Sequence, residues 1–115
     1  MNIETLQEIC KSLKAVSEDI KWETHLCFTV GGKVFLITSP DEVPVSASFK
    51  TSDERFEELI EKQGFKPSPY LARYKWVYLD DINRLSPKDW QIFIREAYRL
   101  VAEKLPKKLQ KDIGL

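Results

Sequence analysis

Two adjacent glycines, Gly31 and Gly32, sit between two runs of β-branched and aromatic residues, His25 to Val30 and Lys33 to Thr38. A two-residue glycine turn takes the positive φ angles of a tight hairpin, so the flanking runs must pair antiparallel with Val30 opposite Lys33. Continued without interruption, that register sets Phe28 opposite Phe35 and Leu26 opposite Ile37 on one face. Cys27, Thr29, Val34 and Leu36 then fall on the other. The first set is the expected core. Beyond Pro40 and Pro44, Val45, Ala47 and Phe49 alternate with Ser46 and Ser48, which predicts a third strand with its serines facing outward.

Helices flank this unit. Ile3, Leu6, Ile9, Cys10 and Leu13 recur at helical spacing, with Thr5 and Glu8 placed for a capping box, and a polar connection holding Trp22 leads into the hairpin. A second helix opens at Thr51 or Ser52, turns Phe56, Leu59 and Ile60 inward and stops at Gly64. Pro67 and Pro69 make Lys66 to Ala72 an extended or turning segment at a sheet edge, and Lys75 to Leu79 reads as a strand. Ser86-Pro87-Lys88-Asp89 starts a long third helix whose apolar side runs from Trp90 to Val101, with Pro106 ending the periodicity. These elements predict one α+β domain over residues 1–115. Its antiparallel sheet has four to five strands, and its three helices lie mainly on one face, leaving the opposite face open.

Function classes narrow quickly. No apolar run approaches the ~20 residues of a membrane span, the N-terminus reads as a polar helix rather than a secretion signal, and the two cysteines have unmatched spacing, so a cytoplasmic protein with reduced thiols is expected. A monomer is the favoured state. The inventory for catalysis is thin: one histidine, His25, no nucleophile elbow and no phosphate-binding glycine loop. No cofactor and no metal site is expected, because the carboxylates of the second helix and Asp80-Asp81 lack cage-like spacing.

Charge is balanced overall but not along the chain. Residues 1–64 carry 7 Lys and Arg against 12 Asp and Glu, and the remainder carries 11 against 6, so the second half is basic. That asymmetry permits a local anion-binding patch without making the whole domain basic. The densest candidate is Pro67 to Tyr78, with Tyr70, Arg73, Lys75, Trp76 and Tyr78 in one short stretch. If Val77 and Leu79 point inward, Trp76 and Tyr78 join Thr29, Ser46 and Ser48 on the outer face. The alternative is that a helix or loop covers these two rings as a second small core. Lys33 and Lys50 are further candidate cations for phosphate contact. Lys104, Lys107, Lys108 and Lys111 form a basic tail that either contacts phosphates or complements a helix C-terminus.

The run PSPYLARYKWVYLDD followed by LSPKDWQIFIREAYRLVAEKLPKK resembles the C-terminal signature of the MmcQ/YjbR family, and VGGKVFLI and SFKTSDERFEELIEKQGF match the same pattern. Gly32, Lys33, Phe49, Lys50, Pro67, Pro69, Tyr70, Arg73, Trp76, Val77, Tyr98 and Leu105 occupy the matching positions. The resemblance implies a CyaY-like α+β fold, as in bacterial frataxin, and a double-wing-like arrangement that carries a DNA-binding label. It brings no catalytic residues, and the first helix lacks the dense acidic ridge that iron binding would require. The leading expectation is a non-enzymatic binding domain for nucleic acid, with Lys33, Lys50, Arg73, Lys75, Lys107 and Lys108 on phosphates and Tyr70, Trp76 or Tyr78 against bases. The alternative is a small-molecule or protein-partner site on the open sheet face around Thr29, Ser48 and Trp76.

Overall fold

Apolar residues at helical spacing make Ile3–Lys11 an amphipathic helix, α1. In a computed structural model, which describes residues 1–21 and 24–115, it packs beside a six-stranded antiparallel sheet. Asn2 caps α1 by accepting the Thr5 N–H at 2.8 Å, so the helix starts one turn ahead of the Thr5–Glu8 box. There follow β1 (Val16–Lys21), β2 (His25–Val30), β3 (Lys33–Ser39), β4 (Ser46–Lys50), α2 (Asp53–Leu59), β5 (Phe65–Pro67), β6 (Trp76–Leu79), α3 (Pro87–Ala102) and α4 (Lys107–Asp112). Strand order is β1-β2-β3-β4-β6-β5, every neighbouring pair antiparallel. The α+β class and the antiparallel sheet agree with the sequence reading. The polar connection expected before the hairpin holds β1, and its Trp22, with Glu23, lies outside the described residues.

Two elements go beyond that reading. The edge strand β1 mixes Ser17, Glu18, Asp19 and Lys21 with Ile20, and its pairing with β2 rather than any hydrophobic period makes it a strand. Pro106, expected only to end a helix, also begins one, since its fixed φ suits a helix start; α4 follows directly.

The hairpin turn forms as its glycines dictate, with φ of +57° at Gly31 and +80° at Gly32, and Val30 lies opposite Lys33. The register then shifts. Thr29 pairs with Val34 but Phe28 pairs with Leu36, leaving Phe35 as the extra residue of a β-bulge. Phe35 and Leu36 are therefore both buried in the core. Ile37, expected inside, moves to the outer face opposite Cys27, and Leu26 meets Thr38 instead. The bulge lets Phe35 meet Tyr98 of α3 edge-to-face at 5.7 Å.

The core fills the space between one sheet face and α1, α2 and α3. Ser52 and Ser86 cap α2 and α3, accepting N–H bonds from Arg55 and Asp89 at 3.1 Å each. Trp90, fully buried, donates its indole N–H to the Ile82 carbonyl at 2.8 Å. Phe49 lies between it, at 5.4 Å, and Phe93, at 6.0 Å. No described helix is long and apolar enough to cross a membrane.

Candidate functional site

Strand alternation decides what the helix-free face presents. One cross-strand row reads Cys27, Ile37, Ser48, Tyr78 and Lys66, and one step along, Lys50 stands opposite Trp76. A strap of chain, Ser68 to Lys75, crosses this face. It is pinned at both ends: Ser68 N–H donates to the Trp76 carbonyl at 3.0 Å and the Ser68 hydroxyl to Ser48 Oγ at 3.1 Å, while Trp76 N–H reaches the Leu71 carbonyl at 3.3 Å. Its turning points are Tyr70 and Lys75, with φ of +66° and +64°. A non-glycine residue in this region costs about 1–2 kcal/mol, which the surrounding bonds must offset. Leu71 lines a cleft on each side of the strap.

The first cleft, of about 350 Å³, opens where the ends of β3, β4 and β6 approach the last turn of α3. Trp76, Leu71, Val34 and Leu105 supply apolar walls, Tyr74 stands at its margin, and Lys33, Lys50 and Lys104 supply the charge. No carboxylate lines it among the described residues. Burial, and then the charge of Lys104, lower the pKa of Lys50 from the ordinary lysine value; Asp53 opposes this and Lys75 adds to it. The Lys50 ammonium donates to the Tyr74 carbonyl, tying the strap to β4.

The second cleft, a groove of about 540 Å³, lies over Ile37, Ser48 and Tyr78, walled by Pro69 and Tyr70 with Glu42 at its edge.

The structure thus divides the residues singled out from sequence. Lys33, Lys50 and Trp76 converge in the first cleft; Tyr70 and Tyr78 line the groove. Trp76 is only 5% exposed, so it forms a wall under the strap rather than an open stacking platform. Tyr74, 50% exposed, is the accessible ring beside the lysines. Arg73 is occupied with that ring, its guanidinium 4.8 Å from the centroid and donating to the hydroxyl at 2.6 Å. Lys75 turns toward α2, 5.0 Å from the Phe56 ring. Lys107 and Lys108 sit exposed in the first turn of α4, past the cleft wall formed by Pro106. A helix N-terminus does not favour cations, so dipole complementation does not account for these two. Sequence reasoning grouped Lys104 with that tail; its place beside Lys50 depends on how α3 crosses the sheet, which no local pattern encodes.

His25 lines the groove, and the two thiols are quiet. Burial pushes the Cys27 thiol up, with Asp19 adding and Lys21 opposing, and burial pushes Cys10 up strongly, so neither is a ready thiolate. Among the described residues no three His, Cys, Asp or Glu side chains are grouped to hold a metal ion.

Comparison with known proteins places this geometry in a family. The family model YjbR matches residues 11–100. The chain is similar to a Deinococcus radiodurans protein of known crystal structure that carries a DUF419 domain. The two are 25% identical with a TM-score of 0.88, over 99% of this chain and 88% of the other. A Pseudomonas syringae protein of known crystal structure is 18% identical with a TM-score of 0.71, over 87% of this chain and 98% of that one. At that identity the likeness speaks to the fold alone. No curated protein matches the chain.

Proposed function

This chain belongs to the YjbR family, and from that premise we propose that it is a non-enzymatic, cytoplasmic binding domain whose lysine-lined cleft takes a strand of nucleic acid. The observation that carries the reading is the convergence of Lys33, Lys50 and Lys104 around apolar walls, with no carboxylate lining the cleft among the described residues. Burial first, and then the like charge of Lys104, disfavour the charged form of Lys50 and lower its pKa. An arriving phosphate relieves that repulsion. Tyr74 supplies a ring on which a base stacks, and Arg73, already held over that ring, offers a cation to the neighbouring phosphate. Lys107 and Lys108 extend the basic surface past Pro106.

Fluorescence anisotropy with a labelled single-stranded oligonucleotide at rising salt tests the reading. Three neutralised phosphates at about 0.7 each give a slope of log K against log salt near −2. Lys50→Ala should weaken binding and flatten the slope by about 0.7, and Tyr74→Ala should weaken binding by about 1–3 kcal/mol while leaving the slope unchanged. No binding at low salt, or a Lys50→Ala/Lys104→Ala double variant that binds like the parent, sinks the proposal.

A further inference from the structure

The groove on the other side of the strap has the opposite electrical character. Among the described residues its lining holds no lysine or arginine; it holds the His25 imidazole and one carboxylate, that of Glu42, which accepts from the Ser46 hydroxyl at 3.1 Å. Four serines line it, Ser39, Ser46, Ser48 and Ser68. Their hydroxyls offer acceptor lone pairs to a donor-bearing guest, and their small size is what leaves the groove open over a sheet face. Ile37, Leu71 and Tyr78 form an apolar bed.

Tyr70 supplies the second observation. It is 98% exposed at the rim of this groove, in a left-handed backbone conformation that a residue with a side chain adopts at a cost. A large aromatic ring held out in solvent by a pinned strap gains burial only when something occupies the space beside it. The groove volume falls within the usual range of small-molecule sites, which combine apolar walls with a few convergent polar groups.

From this we infer that the groove is a second binding site, for a small primary amine with an apolar body. The ammonium sits at Glu42 with the serine hydroxyls as further acceptors, and the body lies on Ile37 and Tyr78 under the ring of Tyr70. The carboxylate, with no lysine or arginine lining the groove among the described residues, selects the cation over an anion of the same shape. The lysine cleft selects the reverse, so the two sites sort ligands by sign. This inference stands apart from the nucleic-acid reading, since among the described residues the two clefts share only Leu71.

The test is an NMR titration of the full chain with three probes of like size: phenethylamine, 3-phenylpropionate and 2-phenylethanol. Phenethylamine should shift the amides of Ser48, Tyr70 and Tyr78 in the millimolar range. The alcohol should bind about tenfold more weakly, the worth of one charge-assisted hydrogen bond, and the acid should not bind. Glu42→Gln, at an exposed loop position where folding is not at stake, should bring the amine down to the level of the alcohol while leaving oligonucleotide binding intact. Ser48→Leu should fill the groove and abolish amine binding. Equal shifts from amine and acid, no shift from the amine, or a Glu42→Gln variant that binds the amine unchanged would each overturn the inference. Lys50→Ala binding the amine like the parent would show that the failure of one proposal does not carry the other with it.

Discussion

The two faces of one sheet, read along neighbouring cross-strand rows, obey different rules. Phe28, Leu36, Phe49 and Val77 form a row under the helices, all of them fully buried. Cys27, Ile37, Ser48 and Tyr78 form the next row on the opposite side, where only a strap crosses and two clefts remain. The covered row is specified by volume, since a helix must close over it without voids. The uncovered row is specified by what it leaves empty: serine where a strand favours larger residues, and charge confined to particular corners. Stability should therefore reside on one face and binding on the other.

The largest break in that contrast comes from adjacent residues of β4. Phe49→Ala should cost about 3–5 kcal/mol, because it opens a cavity between Trp90 and Phe93. Ser48→Ala should cost under about 1 kcal/mol, the loss of one partly buried hydroxyl bond to Ser68. Urea unfolding of both variants measures the difference, and equal costs would refute the division of labour. A second substitution probes the point where the faces join. A Cβ on Gly31 would lie 2.6 Å from Leu105 Cδ1 and would be carried at φ +57°. Gly31→Ala should thus destabilise by about 1–3 kcal/mol in the same assay. Gly32→Ala has nothing within 4 Å of its Cβ and should bear only the conformational part.

The smallest effect separates the two thiols. Both pKa values are raised in the folded state, so the unfolded chain loses its thiol protons first as pH rises. The stability these groups contribute is intact below the ordinary thiol value of 9.0 and is lost as pH climbs above it. By pH ~10 a strongly buried thiol should cost about 1.4 kcal/mol. Cys10→Ala, on the helix side, should remove that alkaline slope. Cys27→Ala, on the strap side where Lys21 opposes the shift, should remove less. Equal slopes would mean that the two faces shield their thiols alike.

How much of this was written locally follows the same contrast. The glycine turn, the alternation of Val45 to Phe49 and the Ser86-Pro87 cap each act within a few residues, and each is found where the sequence places it. The bulge at Phe35 carries no glycine to announce it; the fit of Phe35 to Tyr98, 63 residues away in the chain, is visible only after α3 has docked. β1 is a strand through its partner rather than through its composition. The uncovered face was anticipated; that Lys33, Lys50 and Trp76 line one cleft of it follows from the fold. The strap that buries Trp76, and the arrival of Lys104 just past the end of α3, are tertiary events. Before them, Trp76 reads equally well as platform or as wall.

The bulge also sets how β3 tolerates the loss of a codon. Loss of one codon inside a strand ordinarily reverses the orientation of every residue beyond it, exchanging inner for outer side chains. At Phe35 two residues already stand opposite Phe28, so removal of that codon alone would leave Leu36 opposite Phe28 and Ile37 opposite Cys27. The reading of β3 is in this sense protected at one position: a deletion there forfeits the ring against Tyr98 but leaves the floor of the groove pointing the same way.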